Sequence, residues 1–306
     1  PGGAPSGRLQ GVEQEGEKTM GKIVIVGSGP AGCSAALYAA RAGQEVVVIS
    51  MGMGALSKAE LIQNYYGFEE GITGAELYRR GVAGAKAVGA EFITAEVVGL
   101  DYTGSLVVQT TEGDYPADAV ILATGAGRIA PKIAGLAEHE GRGVSYCATC
   151  DAFFYRGKMA AVLGSGEYAL HEVQALLPLA GKVILCTNGE PLTADFPEGV
   201  EICTEKLAAV EGEEKVSALR LENGELLPVE GLFVALGVAG SAALARKLGA
   251  PVENGRIVVD EKMQTGIPGL YAAGDCTGGL LQVCKAVYEG ALAATEAIKM
   301  LRGKKR

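Results

Sequence analysis

Two segments of the chain repeat the same succession of apolar and small residues. Residues 22 to 43 begin with apolar, mostly β-branched residues, pass through a glycine-rich turn and continue as a helix of small residues. A second apolar strand follows at residues 45 to 50, and residues 158 to 187 repeat this order. A buried strand, a tight turn, a helix and another buried strand form a β-α-β unit of the dinucleotide-binding type. We therefore expect an α/β protein in which each unit anchors one domain.

Length and composition agree with this architecture. Two further apolar strands run into glycine-rich turns, at residues 118 to 127 and 269 to 279. The 306 residues suggest two domains, or three at the outside. Residues 1–19 are polar and precede Met20, which resembles a natural start, so we interpret them as a disordered leader or an expression tag. The terminal KKR is interpreted as a solvated tail.

Charge and cysteine content argue against several functional classes. The formal net charge is -9, whereas nucleic-acid-binding domains usually carry a basic surface. No apolar run reaches the ~18 residues of a membrane span, and no signal peptide is visible. Seven cysteines in 306 residues do not make the dense disulfide framework of a small secreted domain. We expect a cytoplasmic protein that binds neither nucleic acid nor membrane.

The first glycine-rich turn has the residue types that a dinucleotide site requires. Gly27 permits the tight turn, Gly29 lets a pyrophosphate approach the backbone, and Gly32 lets helix and strand pack closely. One expected part is missing, because Ser50 ends the second strand where an Asp or Glu usually holds the adenosine ribose. The alternative interpretation is a glycine turn without a ligand.

A pair of cysteines two residues apart is the second candidate for chemistry. Cys147 and Cys150 can close a small disulfide ring, and a positive environment would lower the pKa of one thiol to give the reactive thiolate. Asp151 follows directly and could exchange a proton with that thiolate, or merely cap a turn. Half of a zinc site is the alternative, but it needs further ligands, and the chain offers only His139 and His171 and no second C-x-x-C. We therefore expect no metal.

The segment around these cysteines resembles a known family. SYCATCDAFFYRGK, residues 145 to 158, is very similar to the active-site segment of low-molecular-weight thioredoxin reductases, and the likeness continues in order along residues 22 to 295. The other similar segments are the FAD pyrophosphate loop GSGPAG (27–32), the N-Y-P-G-F…G-I-T-G-x-E-L segment (64–77), the crossover ILATGA (121–126) and the FAD ribityl turn YAAGDC (271–276).

The resemblance implies a complete fold and mechanism. It implies two doubly wound, Rossmann-like domains in a homodimer, with FAD as cofactor and thioredoxin as partner. The FAD domain is discontinuous, at 20–128 and 258–306, and a pyridine-nucleotide-type domain at 129–257 is inserted with the redox-active disulfide. By position, Cys150 resembles the cysteine next to the flavin and Cys147 the one that attacks the protein disulfide. The implied cofactor-binding residues are Gly27, Gly29, Pro30, Ala31, Gly32, Asn64, Thr124, Gly125, Gly274, Asp275, Gln282 and Val283.

Departures from the family pattern concern the electron donor. The second glycine motif reads GSGEYA, with Tyr168 where a small residue is usual, and residues 186 to 195 contain none of the arginines that grip the 2′-phosphate of NADP. Residues 279 to 282 replace the usual Arg-Gln pair by Leu-Leu-Gln after a glycine. These departures resemble the pyridine-nucleotide-independent branch whose ferredoxin-linked members take single electrons from reduced ferredoxin. The alternative is sequence drift, with NADPH still bound weakly through other cations.

Two alternative functions, and the interpretation of the five cysteines outside the C-x-x-C, remain to be considered. An oxygen-dependent dithiol oxidase would share the fold, but such oxidases carry His after the second cysteine, where this chain has Asp151. A redox-sensing flavoprotein would not need that carboxylate. Cys33 is interpreted as a packed apolar residue, and Cys186 and Cys203 as strand residues of the inserted domain. Cys276 and Cys284 flank a turn near the expected flavin and are a weak candidate for an auxiliary pair.

Overall fold

Two parallel sheets dominate the structure. A computed structural model describes residues 20–125, 132–237 and 240–303. Within those ranges two five-stranded sheets, each parallel throughout, carry helices and form two Rossmann-like domains. The expected α/β class with two doubly wound domains is therefore confirmed.

The elements in chain order are β1 (Lys22–Val26), α1 (Pro30–Arg41), β2 (Glu45–Ser50), α2 (Gly74–Ala87), β3 (Glu91–Thr94), β4 (Val97–Tyr102), β5 (Leu106–Thr110), β6 (Gly113–Ala117), β7 (Ala119–Leu122), β8 (Val144–Ser145), α3 (Ala148–Asp151), β9 (Met159–Leu163), α4 (Glu167–Leu176), β10 (Lys182–Cys186), β11 (Glu201–Cys203), β12 (Leu207–Glu211), β13 (Ala218–Leu221), β14 (Leu226–Pro228), β15 (Gly231–Val234), α5 (Ser241–Lys247), β16 (Val252–Glu253), β17 (Arg256–Ile257), β18 (Leu270–Ala272) and α6 (Val283–Gly303).

The first sheet has the order β18-β7-β1-β2-β3. Its central strand β1 is almost entirely buried, as its run of Ile and Val requires in a sheet covered on both faces. The chain proceeds from β1 to β2 and β3 on one side, and β7 and β18 add later on the other. The strand order therefore reverses between β1 and β7, and in such sheets a ligand crevice forms at the carboxyl ends of the strands flanking that point.

Residues without a β-carbon bring the backbone together at this reversal. Gly27 follows β1 with a φ of 107°, and a β-carbon there would lie 2.4 Å from the carbonyl oxygen of Ala123. A β-carbon on Gly32 would lie 1.9 Å from the carbonyl oxygen of Gly27, so helix α1 can pack this closely only with glycine. Helix α6 adds a third such contact, since a β-carbon on Gly290 would lie 2.0 Å from the carbonyl oxygen of Ala31.

The second sheet repeats this construction in the order β11-β10-β9-β15-β8. Gly164 follows β9 as Gly27 follows β1, and a β-carbon there would lie 2.2 Å from the carbonyl oxygen of Ala235, just after β15. The backbone hydrogen bonds match as well: Gly27 N donates to Ile49 O at 2.8 Å, and Gly164 N donates to Cys186 O at 3.0 Å. Both predicted β-α-β units are thus present.

The structure also contains elements that the sequence patterns did not predict. Two antiparallel three-stranded sheets, β4-β5-β6 and β12-β13-β14, and a β16-β17 hairpin are added to the two domains. Several of their strands are partly exposed, such as β6 and β14, and lack the nearly continuous buried runs of β1 and β2. Helix α2 does carry a local signal, because the side chain of Thr73 accepts a hydrogen bond from Glu76 N at 3.2 Å and caps the helix.

Some expectations lie outside the described residues. These are the interpretations of residues 1–19 and of the KKR tail, together with the boundary at residues 128 and 129. The proposed domain limits thus stay predictions. In the three described ranges, no helix combines the length and apolar character needed to cross a membrane.

A substitution at Gly32 tests the close packing at the first sheet. We expect Gly32→Ala to lower the free energy of unfolding by about 2 kcal/mol or more, because the new methyl group meets backbone that cannot move aside. Gly84→Ala is the matched control. Gly84 lies inside helix α2, and its β-carbon would lie 3.6 Å from Leu37 Cδ1 of helix α1, an ordinary contact distance. This substitution should raise the free energy of unfolding by roughly 0.5–1 kcal/mol. Urea unfolding measures both. Equal stability of the two variants would contradict the packing argument.

Candidate active site

A cavity of about 410 Å³ lies at the carboxyl ends of β1, β7 and β18. It is the crevice expected at the reversal of strand order. Gly32 does not line it and instead packs behind the turn against Gly27. The other expected cofactor-binding residues all line the cavity: Gly27, Gly29, Pro30, Ala31, Asn64, Thr124, Gly125, Gly274, Asp275, Gln282 and Val283.

The turn after β1 is fixed by hydrogen bonds of Ser28 on one side and faces the cavity at Gly29 on the other. Nothing lies within 4 Å of a β-carbon built on Gly29, so its backbone faces the free space of the cavity at the start of helix α1. Ser28 is buried, and its hydroxyl lies 2.7 Å from Ser50 Oγ and 3.1 Å from Tyr78 Oη. Ser50 therefore fixes this turn from the end of β2, which explains what the residue does in place of the expected Asp or Glu.

The opposite wall of the cavity contains a polar network that the sequence patterns did not reveal. Gly274 N donates to Glu289 Oε2 at 2.8 Å, and Lys285 Nζ donates to Gly274 O at 2.8 Å. Lys285 and Glu289 also form an ion pair at 3.0 Å on helix α6. Burial raises the pKa of Asp275, and the nearby Lys285 charge opposes that shift. Across the cavity mouth, Asn64 Nδ2 donates to Gln282 Oε1 at 2.8 Å.

Cys147 and Cys150 are joined by a disulfide at the start of helix α3. Cys147 is the N-cap of that helix, and its sulfur accepts a hydrogen bond from Cys150 N at 3.1 Å. A helix N-terminus favours negative charge, so this position would stabilise a thiolate once the disulfide is reduced. In this conformation Cys147 is buried whereas Cys150 is exposed.

Asp151 belongs to a hydrogen-bonded loop with Ser145, a residue that the sequence analysis did not single out. Ser145 Oγ donates to Asp151 Oδ2 at 2.7 Å, and it accepts from Cys147 N at 3.1 Å. The Asp151 carboxylate is half-buried, and the Ser145 hydroxyl links it to the backbone amide of Cys147. This placement suits a proton donor or acceptor for a cysteine sulfur better than an isolated surface carboxylate.

A buried ion pair braces the same loop. Lys247 Nζ lies 2.6 Å from Glu172 Oε1, and both side chains are 1% exposed. The other carboxylate oxygen of Glu172 accepts a hydrogen bond from Ala148 N, inside the C-x-x-C. Burial favours the neutral carboxyl, but the hydrogen bond from His171 and the charge of Lys247 hold the pKa of Glu172 below its usual range. Neither residue belongs to a short motif, so only the fold brings them to the disulfide.

Tyr168 replaces the small residue that is usual in the second glycine motif, and its side chain is buried beneath the C-x-x-C loop. Its hydroxyl donates to Tyr146 O at 3.0 Å, and Lys247 Nζ lies 5.6 Å from its ring centroid. The position faces the core because helix α4 turns this side toward α3. Tyr168 therefore does not narrow the mouth of the turn.

The second crevice has few groups suited to a nucleotide phosphate. After β10, Asn188 takes a left-handed conformation and its Oδ1 accepts from Leu207 N at 2.8 Å. Thr193 N donates to Ser165 O at 2.8 Å and covers the glycine turn. The stem of Lys206 packs on Gly189. Lys206 was not identified from the sequence, because it lies between β11 and β12, outside the segment that follows β10.

The other histidines and cysteines are not assembled into a second centre. His139 bonds the carbonyl oxygens of Gly135 and Gly212 at 2.7 and 3.1 Å. Among the residues the structure describes, no group of three or more His, Cys, Asp or Glu is placed to hold a metal ion.

The five free cysteines differ in environment. Burial raises the pKa of Cys33 to about 12 and that of Cys276 to about 11, in keeping with packed thiols, whereas Cys284 is exposed. Cys186 and Cys203 are aligned partners on β10 and β11, as strand residues of the inserted domain.

The family model for pyridine nucleotide-disulphide oxidoreductases matches residues 21–290. This chain belongs to that family. It is 36% identical to a thioredoxin reductase of Aquifex aeolicus over 308 aligned positions, which cover 93% of this chain and 94% of the relative. A thioredoxin reductase of Listeria innocua is 33% identical, with 92% and 94% covered. The chain is thus a thioredoxin reductase-like disulfide oxidoreductase.

Solved structures extend the similarity. An atypical thioredoxin reductase, TRi, from Desulfovibrio vulgaris Hildenborough superposes with a TM-score of 0.87 at 40% identity, covering 94% of this chain and 99% of that one. A ferredoxin-flavin thioredoxin reductase from Clostridium acetobutylicum gives a TM-score of 0.71 at 36% identity, with 93% and 99% covered.

The chain is a flavoprotein with FAD as its cofactor, and the first cavity fits that group. Gly29 leaves the backbone open at a helix N-terminus, which suits a pyrophosphate. Asp275 and the hydrogen-bonded pair of Asn64 and Gln282 also line this cavity and would be the polar side chains facing the cofactor. When bound, FAD supplies an electron carrier that accepts electrons singly or in pairs.

Adding a methyl group at Gly29 tests this assignment. We expect Gly29→Ala to weaken FAD binding about tenfold or more, roughly 1.4 kcal/mol, because the pyrophosphate loses its close approach to the backbone. The apoprotein should unfold as wild type does, since no atom lies near the new methyl group. Fluorescence titration of apoprotein with FAD gives the affinity, and Gly84→Ala serves as control. Unchanged FAD affinity in Gly29→Ala would place the pyrophosphate elsewhere.

Proposed function

We propose that this chain reduces the disulfide of thioredoxin, with electrons passing through FAD and the Cys147–Cys150 pair, and that reduced ferredoxin rather than NADPH is the donor. The observation that carries the reductase assignment is the Cys147–Cys150 disulfide, whose Cys147 is the N-cap of helix α3. The hydroxyl of Ser145 links the Asp151 carboxylate to the amide of Cys147. The names of the thioredoxin reductases among its relatives support thioredoxin as the substrate. We also propose the homodimer that the resemblance implies.

The thiol chemistry follows from the two sulfur positions. In the dithiol form, the Cys147 thiolate attacks the thioredoxin disulfide, one S–S bond forms as another breaks, and the departing thioredoxin sulfur takes a proton. The Cys150 thiol then loses its proton and attacks the Cys147 sulfur, which breaks the mixed disulfide, and that proton passes to the second thioredoxin sulfur as it leaves. Two electrons and two protons reach thioredoxin, and the Cys147–Cys150 disulfide is restored.

The groups around the cysteines support these roles. The amide of Cys150 already donates to the Cys147 sulfur and would stabilise its thiolate. Asp151, held by Ser145, would deliver the proton to the departing sulfur. Because Cys147 is buried in this conformation, its attack on a protein substrate requires that the loop first become accessible.

The donor assignment rests on charge. NADPH carries a 2′-phosphate that pyridine-nucleotide enzymes hold with cations. Residues 186 to 195, at the end of β10, include Glu190 and Asp195 but no cation. Among the residues that the structure describes, Lys206 is a cation that packs against this segment, at Gly189. A single ammonium gives no bidentate contact of the kind arginine makes. The name of the ferredoxin-flavin thioredoxin reductase among the similar structures supports ferredoxin as the donor.

The alternatives differ in what they need from the site. An NADPH-dependent reductase would have to rely on Lys206 for its phosphate. A dithiol oxidase or a redox sensor would not need Asp151 held beside the disulfide by Ser145. We therefore favour the reductase.

Substitution of each active-site cysteine tests the order of attack. We expect Cys150→Ser to trap thioredoxin as a mixed disulfide through Cys147, because the resolving thiol is gone. Cys147→Ser should form no such adduct, and both should lose thioredoxin reduction. Non-reducing electrophoresis with mass spectrometry identifies the adduct, and Cys284→Ser is the control for an exposed cysteine outside the pair. An adduct through Cys150 would reverse the roles.

Anaerobic titration tests the donor. We expect reduced ferredoxin to bleach the FAD absorbance quickly, and NADPH to do so at least ~100-fold more slowly, because two missing charge-assisted contacts to its 2′-phosphate weaken binding by about that factor. NADH should be slow as well, because Thr187 and Asn188 occupy the turn after β10 where an acidic residue would hold the adenosine ribose. Dithionite bleaching shows that the flavin is competent. Rapid stoichiometric bleaching by micromolar NADPH would return the protein to the NADPH-dependent class. No response to ferredoxin would favour the oxidase.

A further inference from the structure

We propose that Lys247 and Glu172 are positioning residues that set the thiol–disulfide equilibrium of Cys147 and Cys150 through opposed buried charges. This inference rests on the proposed redox role of that disulfide. It adds a function for two residues that lie outside every motif and contact neither the FAD cavity nor a solvent-exposed substrate surface.

Glu172 acts on the loop through the backbone. It lies in the second half of helix α4, and its carboxylate accepts a hydrogen bond from Ala148 N, the amide directly after Cys147. This bond keeps the first turn of α3 in place, with Cys147 at its N-cap. The same bond places a negative charge at the backbone amide directly after Cys147, the residue whose sulfur would become a thiolate.

Lys247 opposes that charge from helix α5. Its ammonium lies 2.6 Å from Glu172 Oε1, and its own carbonyl oxygen lies 3.6 Å from Cys150 Sγ. The residue therefore touches both the carboxylate and the second half of the disulfide ring. A Glu172 carboxylate alone would disfavour a thiolate, and the Lys247 cation compensates for it.

The surroundings make these two charges effective. Both side chains are 1% exposed, and water screens buried charges much less than exposed ones. The other charged and titratable groups facing the loop are spread over the adjoining elements: Asp151 on α3, His171 and Tyr168 on α4, Arg246 on α5, and Tyr146 before α3. Arg246 is paired with Glu140 at 2.8 Å, so its charge is already balanced.

Two neutral substitutions should therefore act in opposite directions. Lys247→Gln leaves Glu172 uncompensated and should disfavour the thiolate, which shifts the equilibrium about tenfold toward the disulfide. Glu172→Gln leaves Lys247 uncompensated and should shift it about tenfold toward the dithiol. Each glutamine can still make a hydrogen bond, so the brace on Ala148 is retained as far as possible.

The measurement uses FAD-loaded protein equilibrated anaerobically at pH 8 with mixtures of reduced and oxidised glutathione. Acid quenching, alkylation and mass spectrometry of the peptide containing residues 147 and 150 give the fraction of disulfide. A tenfold change corresponds to about 30 mV in the two-electron potential. The double variant Glu172→Gln/Lys247→Gln should return to within about threefold of wild type, because the summed charge of these two positions is again zero.

The outcomes separate the possibilities. Shifts in the same direction, or below threefold in both single variants, would mean that the pair is only a structural brace. Each single variant has its own expected sign, so one suffices if the other does not fold. If neither folds, the double variant decides, and a shift above threefold from wild type overturns the proposal. A wild-type protein with no Cys147–Cys150 transition at all would instead contradict the proposed function.

Discussion

The structure depends on one steric constraint, the contact between a strand-end carbonyl and a turn that has no side chain. Gly27 meets Ala123 in the first domain, and Gly164 meets Ala235 in the second. In each case the strand order reverses at that point, so the contact fixes where the crevice lies. Helix α1 can start immediately beyond Gly27 because Gly32 also lacks a β-carbon. A methyl group at these positions would separate helix from strand and change the shape of the site.

The two domains use the same construction for different purposes. In the first, the crevice is open and lined by backbone and small residues, as a large cofactor requires. In the second, the glycine turn is covered by Thr193, and the disulfide lies at the start of helix α3, just after the edge strand β8. Helices α4 and α5 then serve the disulfide, through Glu172, Tyr168 and Lys247.

The sequence was sufficient for the parts that depend on local pattern. Apolar runs and glycine spacing predicted both β-α-β units, the C-x-x-C spacing indicated Cys147 and Cys150, and the family resemblance implied eleven of the residues that line the cavity. It was insufficient where distant segments meet. Glu172 and Lys247 are 75 positions apart. Lys285 on helix α6 donates a hydrogen bond to Gly274 O, in the turn after β18. The direction of the Tyr168 side chain was not predictable either, because a residue in the first turn of a helix can face either neighbour until the packing of α3 is known.

The contact of helix α6 with helix α1 has a consequence for how the chain matures on the ribosome. Gly290 packs on Ala31, and β18 completes the first sheet beside β7. The FAD domain therefore cannot close until nearly the whole chain has been synthesised, whereas the second sheet needs only residues 144 to 234. Domains generally fold as units during synthesis. The nascent protein would then hold its C-x-x-C beside a complete sheet before the cavity that retains the cofactor is closed.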